Sequence, residues 1–364
     1  MLRVGITKET TAGERRVALT PDSVARLLKG GIGFDVELGA GVEAGYPDSA
    51  YEKAGASMLP DARSVFQSAG LVVKVRRPSL DEVASLKSGT VLVALMQPAS
   101  SSDLLKRLKE HDVTALSLEL VPRITRAQSM DVLSSQSTVA GYKAVLLGAA
   151  ALGKLLPMLT TAAGTIAPAR AFVIGAGVAG LQAIATARRL GAVVSGFDVR
   201  TAAREQVQSL GASFLSAEIA TPDAEDKGGY AKAQSDEQHR MTLAAIASHI
   251  SDQDLVVTTA LIPGKPAPVL ITEEMVRSMK IGSVIVDLAA EAGGNCALTQ
   301  AGETINVNGV TIIGATNLPA TVPLHASQMF SRNVETLIKH LAKDGTIAID
   351  QADEIVGPMI VTGK

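Results

Sequence analysis

Three glycines between an apolar run and a helical run are the residues of this chain best suited to chemistry. They form a G-x-G-x-x-G pattern. The first glycine permits a tight turn, the second lets the backbone approach a pyrophosphate, and the third lets helix and strand pack closely. Unpaired N–H groups at the start of the helix can then face the phosphates. The pattern predicts a dinucleotide site whose phosphate-binding residues are Gly175, Gly177, Val178, Ala179 and Gly180.

An acidic residue ends the next apolar run. Asp198 lies eighteen residues after Gly180, close to the spacing at which a Rossmann fold places a carboxylate on the ribose hydroxyls. Its negative charge would repel the 2′-phosphate of NADP(H). Arg200 stands close enough to offset that charge, or is only a solvated cation. The pattern favours NAD(H) over NADP(H), with Asp198, Val199 and Arg200 as binding residues.

Polar side chains are also concentrated between residues 122 and 137. Gln128, Asp131 and Ser134 are three residues apart, so in a helical turn they would present one polar face. Hydride transfer between carbons needs no protein nucleophile, but it needs the two carbons held in line at close range. Such a face could hold a nicotinamide ring, and a capped helix start with a solvated stripe explains the same spacing.

Two further runs, 258–265 and 287–295, follow predicted strands. The carboxyl ends of strands in open α/β sheets line the ligand crevice. In the second run an acidic side chain could contact a ligand, or the glycines could simply turn the chain. We expect cofactor contacts from Ala260, Leu261, Glu291 and Asn295.

Strand-like and helix-like runs alternate along the chain, which indicates an α/β fold with parallel sheets. An apolar helix is expected around residues 143–156, between two sheet-and-helix units, and a long helix at 327–341 returns to the first unit. Strands are predicted at 3–6, 34–38, 71–75, 90–95 and 114–117, and then at 171–174, 212–215, 254–259, 283–287 and 310–314.

This order predicts two Rossmann-like, doubly wound parallel-sheet domains joined by long helices, with the second inserted in the first. The first domain comprises residues 1–133 and is completed by 323–364. The second, residues 134–322, carries the glycine pattern and is the NAD(H)-binding domain.

The segment 220–239 is almost devoid of apolar side chains. A polar loop of this length inside a compact domain is usually a lid or is disordered. Gly228 and Gly229 would give it hinge freedom, and Tyr230 is its only aromatic residue. A lid carrying Tyr230 and a solvated insertion are both compatible with the sequence.

Composition excludes several classes of function. A formal net charge of −2 leaves no basic field for nucleic acid. The single cysteine, Cys296, rules out an intramolecular disulfide framework. The five histidines are scattered without ligand spacing, so no metal site is expected. The apolar run 144–153 is far shorter than the roughly 20 residues that a membrane span needs.

Four longer runs resemble the alanine dehydrogenase and nicotinamide nucleotide transhydrogenase superfamily. The opening run 13–21, Gly-Glu-Arg-Arg-Val-Ala-Leu-Thr-Pro, is similar to the start of its members. The runs 123–144, 258–271 and 291–296 are similar to the transhydrogenase branch. The resemblance covers nearly the whole chain, and these motifs are long and specific.

The resemblance implies that four residues hold the nicotinamide end and carry the catalytic role: Arg123, Gln128, Asp131 and Ser134. It implies that Tyr230 belongs to a mobile loop that closes over bound nucleotide. The implied activity is that of a proton-translocating, Re/Si-specific NAD(P)⁺ transhydrogenase. In it, a hydride passes directly between NADH on this chain and NADP⁺ on a partner subunit.

The resemblance also implies an assembly. The expected partners are an NADP(H)-binding β subunit and a membrane-spanning subunit that moves protons. Because the chain ends at Lys364 without membrane helices, the split-subunit form is expected. The subunit would be a homodimer on the cytoplasmic face of the inner membrane, attached through its partners, with no nucleic acid bound.

Two other functions stay open. Alanine dehydrogenases handle the amino acid with a lysine, a histidine and an aspartate. Lys74 fits the first, but Gln97 stands where the histidine would be and Glu291 near where the aspartate would be. Loss of that acid–base pair argues against oxidative deamination. A catalytically inert NAD(H)-sensing module is the third interpretation.

Overall fold

The computed structural model describes residues 2–216, 235–262, 265–343 and 345–363. The chain divides into two compact units. Unit 1 comprises Met1–Gln136 with Pro319–Lys364, and unit 2 comprises Ser137–Leu318. Each unit is built on one large sheet.

Unit 1 begins with alternating strands and helices. The strands are β1 (Arg3–Ile6), β2 (Gly33–Glu37), β3 (Ser57–Leu59), β4 (Leu71–Arg76), β5 (Val91–Leu95) and β6 (Thr114–Ser117). The helices are α1 (Pro21–Leu28), α2 (Asp48–Lys53), α3 (Ala62–Ser68), α4 (Leu80–Ser85) and α5 (Ser102–Glu110).

Helix α6 (Val132–Ala151) leads into unit 2. The strands that follow are β7 (Leu159–Thr161), β8 (Gly164–Ile166), β9 (Arg170–Ile174), β10 (Val193–Phe197), β11 (Ser213–Phe214), β12 (Leu255–Thr258), β13 (Val284–Asp287), β14 (Thr304–Val307) and β15 (Val310–Gly314). The helices are α7 (Val178–Arg189), α8 (Ala203–Ser209), α9 (Asp236–Ile250) and α10 (Glu273–Ser278).

The chain then returns to unit 1. Helix α11 (Pro323–Leu341), the short strands β16 (Ala342–Lys343) and β17 (Thr346–Ile347), and helix α12 (Val356–Met359) complete it. The return of a long helix to unit 1 was predicted, and it begins four residues earlier than the apolar pattern indicated because Pro323 opens its first turn.

The sheet of unit 1 has the strand order β3-β2-β1-β4-β5-β6, and all its pairings are parallel. In unit 2 the order is β11-β10-β9-β12-β13-β15-β14, parallel except for the antiparallel edge strand β14. The parallel strands reverse their order between β1 and β4 in unit 1 and between β9 and β12 in unit 2. The predicted α/β class with doubly wound parallel sheets is confirmed.

Helices cover both faces of each sheet because alternate strand residues point to opposite faces. In β9, Val173 packs in a cluster with residues of α6 and α7, whereas Phe172 and Ile174 pack with residues of α9 and α10. In β4, Val73 packs with residues of α1 and α11, whereas Val72 packs with residues of α3, α4 and α5. This two-sided burial explains why the strands read as continuous apolar runs.

Each predicted strand matches an observed strand to within one residue at either end. Two expected boundaries were wrong, the start of one helix and the end of one polar segment. Helix α6 begins at Val132, not near residue 143, because polar residues of its first turns lie among the apolar ones. The polar segment expected to extend to His239 ends earlier, because Ser235 caps α9 and exchanges hydrogen bonds with Gln238 in a capping box.

Among the helices within the described ranges, none combines the length and the apolar content that crossing a bilayer requires.

A buried carboxylate ties α11 to α1 in unit 1. Glu335 accepts hydrogen bonds from Ser23 Oγ at 2.8 Å, from Arg26 Nη2 at 2.7 Å and from Lys339 Nζ at 2.8 Å. Burial opposes the charge of Glu335, but the donors of Arg26, Lys339 and Ser23 outweigh it and lower the pKa from 4.5 to about 2.

This carboxylate predicts an acid-dependent loss of stability. Because the pKa of Glu335 is lower in the folded chain, its contribution is present above the unfolded pKa and is lost as pH falls from 4.5 to about 2. Glu335→Gln should lower the free energy of unfolding by about 1 kcal/mol at pH 7. The difference from the parent should vanish near pH 2 in urea titrations followed by circular dichroism. Glu354→Gln, at an exposed ion pair of the same unit, should leave the free energy of unfolding unchanged at both pH 7 and pH 2. A difference that persists unchanged at pH 2 would contradict this role.

Candidate functional site

The turn between β9 and α7 carries the first two glycines of the sequence pattern, and the third, Gly180, lies in the first turn of α7. Gly175 adopts a φ of +97°, in the left-handed region that favours glycine. Its N–H donates to the carbonyl of Phe197 at 2.8 Å, which fixes the turn on the neighbouring strand β10. Gly177 is the N-cap of α7, and no side chain caps it.

Helix α7 approaches this turn without room for a side chain. A Cβ on Gly180 would lie 1.8 Å from the Gly175 carbonyl oxygen. Helix α6 is similarly close, because a Cβ on its Gly141 would lie 2.0 Å from the carbonyl oxygen of Ala179. Glycine is therefore required at both positions, and the first turn of α7 is fixed between the loop and α6.

The turn lies at the point where the strand order of unit 2 reverses. Strand β12 pairs with β9, and Thr258 lies opposite Ile174. The next residue, Thr259, donates from its hydroxyl to the Gly175 carbonyl at 3.0 Å. In doubly wound sheets, ligands bind outside the carboxyl ends of the strands at such a reversal.

Asp198 lies directly after β10 and faces the same turn. Its carboxylate accepts from Ala176 N at 2.7 Å, and from Arg200 N, Nε and Nη2 at 2.8, 2.9 and 2.9 Å. Arg200 is thus ion-paired with Asp198, and the alternative of a solvated cation was wrong. A carboxylate offers about four lone-pair positions, so ribose hydroxyls would have to displace some of the Arg200 contacts. Val199, between the two, is half-buried.

The residues present fit a dinucleotide. Gly177 is exposed, and a Cβ built on it would meet nothing within 4 Å, so space is open above the start of α7. Val178 is exposed and Ala179 is half-buried. N–H groups at a helix start, together with the dipole of a twelve-residue helix, favour an anionic pyrophosphate.

The predicted nicotinamide-binding residues lie around the start of α6. Asp131 precedes α6 and accepts from Ser134 N at 2.9 Å and from Ser134 Oγ at 2.6 Å, so it caps the helix. Gln128 lies in a separate 3₁₀ helix, Thr125–Met130, and is exposed, as is Arg123. The prediction that Gln128, Asp131 and Ser134 share one helical face was wrong, because the 3₁₀ helix ends at Met130 and Asp131 has an extended backbone before α6 begins.

The other predicted contacts lie at the ends of β12 and β13. Ala260 follows Thr259 and is half-buried, whereas Leu261 is exposed. Glu291 is exposed in a short 3₁₀ helix, Ala290–Ala292. Asn295 is fully buried and its amide bonds the backbone of Ala260 and Pro268, so the amide is not available for the cofactor contact expected from the sequence. Tyr230 lies outside the described residues.

In unit 1 the corresponding reversal, between β1 and β4, carries buried charged side chains. Lys74 of β4 is 1% exposed, and its three ammonium protons have acceptors in Thr7 Oγ1 at 3.2 Å, Lys8 O at 3.1 Å and Glu82 Oε1 at 2.9 Å. Glu9 follows β1 and accepts from Val75 N at 2.6 Å. Burial raises the pKa of Glu9, and Lys74 opposes that shift. Buried charged side chains bonded within the protein therefore lie at the strand ends of this reversal.

Three residues that shape the site were missed in the sequence. Gly141 lies in an apolar helix with no visible glycine pattern, and Thr259 and Asp287 were treated only as members of longer runs. The one available signal was the position of Asp287 at the end of a strand otherwise made of valine and isoleucine. An acid there needs several hydrogen-bond donors, which the following loop supplies.

Comparison with known proteins gives the family. Residues 5–140 match "Alanine dehydrogenase/PNT, N-terminal domain" and residues 144–364 match "Alanine dehydrogenase/PNT, C-terminal domain". The chain belongs to this family. It is 47% identical to an NAD(P) transhydrogenase alpha-subunit protein of Rhodospirillum rubrum, over 99% of this chain and 96% of that protein. The predicted resemblance is confirmed.

A solved structure and a second enzyme place the chain within the family. The crystal structure of the transhydrogenase from Sinorhizobium meliloti superposes with a TM-score of 0.90 at 45% identity, and the match covers 99% of this chain and 98% of that one. The alanine dehydrogenase of Bacillus subtilis is 32% identical over 88% of this chain and 80% of its own length. Both branches share the fold, and the transhydrogenase branch is the more similar of these two.

The pairing of Asp198 with Arg200 predicts how cofactor preference changes. Asp198→Ala should weaken NADH binding by roughly ten- to hundredfold, because hydrogen bonds to a charged acceptor are lost. The same change frees the Arg200 guanidinium for a 2′-phosphate, so the preference for NADH over NADPH should narrow. Isothermal titration calorimetry with both nucleotides measures this, and Asp252→Ala, at an exposed acid of the same unit, is the control. Equal affinities of the parent protein for NADH and NADPH would contradict the assignment.

Proposed function

We propose that the chain is the NAD(H)-binding subunit of a proton-translocating NAD(P)⁺ transhydrogenase. A hydride passes directly between NADH held on this chain and NADP⁺ held on a partner subunit, and a separate membrane domain couples the transfer to proton movement. The observation that carries the proposal is the Gly175–Gly180 turn with Asp198, which fits one dinucleotide. The similarity to transhydrogenase α subunits over nearly the whole chain supports it.

Different residues of unit 2 bind different parts of the dinucleotide. Gly175, Gly177 and Gly180 bring the backbone and the N–H groups of Val178 and Ala179 to the pyrophosphate. Asp198 holds the adenosine ribose, with Val199 and Arg200 beside it. Ala260 and Leu261 lie at the strand end next to the turn, and Glu291 lies after β13. Bound NAD(H) supplies or accepts the hydride.

The catalytic assignment concerns orientation. Gln128 carries an exposed amide that can hold the nicotinamide carboxamide, and Arg123 is exposed nearby in sequence. Asp131 and Ser134 bond each other at 2.6 Å, which holds the start of α6 in place. We propose that these four residues fix the ring for transfer, and that Tyr230 contributes from the loop.

The alternative of an alanine dehydrogenase is disfavoured by Lys74. All three of its ammonium protons have acceptors within the protein, and the side chain is 1% exposed. It therefore has no donor left for the carboxylate of an amino or keto acid. Gln97, at the position expected for a histidine, is exposed, adopts a φ of +49° and offers an amide that cannot act as an acid–base group.

The proposed assembly has an NADP(H)-binding β subunit and a membrane-spanning subunit as partners, and it places the chain on the cytoplasmic face of the inner membrane. A homodimer is supported by the hairpin β7–β8. All its strand residues are exposed, and residues 155–169 include no charged side chain. Exposed strand edges without protecting charges readily pair with another chain.

The proposal predicts that transfer needs a partner. Mixed with NADH and an NADP⁺-loaded transhydrogenase β subunit, the chain should start rapid transfer in stopped-flow absorbance, and omission of the partner should abolish it. Gln128→Asn shortens the side chain but keeps the amide, so transfer should slow on the order of a hundredfold through misplacement of the ring. NADH affinity of that variant should stay near the parent value.

Three results would separate the candidate functions. Formation of NADPH by the isolated chain would mean that both nucleotides bind here. Ammonia-dependent oxidation of NADH with pyruvate would indicate an alanine dehydrogenase. NADH binding without transfer to any NADP⁺-loaded partner would indicate a sensing module.

A further inference from the structure

The buried amide of Asn295 connects three separate segments of unit 2. Its Oδ1 accepts from Ala260 N at 2.9 Å, and its Nδ2 donates to Ala260 O at 2.9 Å and to Pro268 O at 2.8 Å. Its own carbonyl accepts from Leu270 N and Ile271 N at 2.8 and 2.9 Å. The side chain thus bonds both backbone groups of Ala260, as a neighbouring strand would.

Asp287 holds Asn295 in place. The carboxylate is fully buried at the end of β13 and accepts five hydrogen bonds, all from uncharged groups. The shortest, at 2.7 Å, come from Asn295 N and Thr299 Oγ1. Gly293 and Gly294 both have positive φ, at +102° and +87°, and their turn brings Asn295 back towards the strand end.

The contacts continue to the phosphate-binding turn. Ala260 directly follows Thr259, whose N–H donates to Ile174 O at 2.8 Å and whose hydroxyl donates to Gly175 O at 3.0 Å. A Cβ on Gly175 would lie 2.5 Å from the Thr259 hydroxyl and 3.2 Å from Ala260 N. The turn is therefore packed directly against the backbone that Asn295 holds.

We propose that Asp287 and Asn295 are positioning residues for the dinucleotide site. They fix Ala260 and, through Thr259, the Gly175 turn. The N–H groups at the start of α7 are thereby held where they can donate to a pyrophosphate. Because the Asn295 amide is fully buried and used by protein partners, it acts without touching the nucleotide. This inference rests on the proposed binding of NAD(H) to unit 2.

The first test compares two buried amides of the same unit. Asn295→Ala should raise the NADH dissociation constant about tenfold in calorimetry, since loss of buried hydrogen bonds at a packed wall displaces the turn. Gln253→Ala is the matched control. Gln253 is 2% exposed and donates to His249 O at 3.0 Å, but it precedes β12 at the opposite end of the sheet. Both variants should lower the melting temperature, and only Asn295→Ala should weaken NADH binding.

A second pair of variants keeps the test decisive if Asn295→Ala does not fold. Thr259→Val removes the hydroxyl that bonds Gly175 O at nearly constant volume, and Thr259→Ser retains it. NADH binding should weaken severalfold in the first variant and return towards the parent value in the second. A purely structural role would change the melting temperature without this recovery of affinity.

A third variant adds a pH signature. Asn295→Asp keeps an acceptor for Ala260 N, but its ionised carboxyl has no donor for Ala260 O or Pro268 O. Protonation restores one donor, so the NADH affinity of this variant should improve between pH 8 and pH 5 relative to the parent.

Two results would overturn the inference. One is an Asn295→Ala protein that folds and binds NADH within twofold of the parent, and the other is an equal loss of affinity in Gln253→Ala. Failure of the parent itself to bind NADH would contradict the proposed function, and the positioning role with it.

Discussion

The approach of helix α7 to the carbonyl of Gly175 is the constraint on which the rest of the site depends. A single methyl group at Gly180 would lie 1.8 Å from that oxygen, and one at Gly141 would lie 2.0 Å from the carbonyl of Ala179. Loop, α7 and α6 are thus stacked backbone against backbone. This close packing fixes the start of α7, whose first N–H groups can hold an anion without a charged side chain.

The two units share a strand order but differ in the buried charged groups near the ends of their strands. At the reversal in unit 1, Lys74 and Glu82 form a buried ion pair at 2.9 Å. A buried pair is costly to break because the remaining charge is uncompensated. In unit 2 the buried carboxylate of Asp287 lies one strand away from the reversal, at the end of β13, and is satisfied by neutral donors of its own loop and of the neighbouring strand. The same strand order thus accommodates a buried ion pair in one unit and a carboxylate held by neutral donors in the other.

The sequence was sufficient for the regions of the structure that depend on local patterns. Strands buried on both faces are continuous apolar runs, and the turn glycines have fixed spacing, so the sheets and the Gly175–Asp198 arrangement could be predicted. The start of helix α6 was not, and a capped helix start was only one of two alternatives for residues 122–137, since an N-cap and a polar ligand have the same residue type. The ion pair of Arg200 with Asp198 and the contacts of Asn295 with Ala260 depend on side-chain placement, which no periodicity encodes.

A crystal structure of the protein with NADH would show whether unit 2 binds the nucleotide at the Gly175 turn. We expect the pyrophosphate at the start of α7, within hydrogen-bond distance of its first N–H groups, with the adenosine ribose on the Asp198 carboxylate. We also expect Arg200 to be displaced from some of its present contacts with Asp198, and the Asn295 amide to remain bonded to Ala260. Nucleotide density elsewhere, or a ribose that makes no contact with Asp198, would show that the Gly175 turn and Asp198 are not the NADH site.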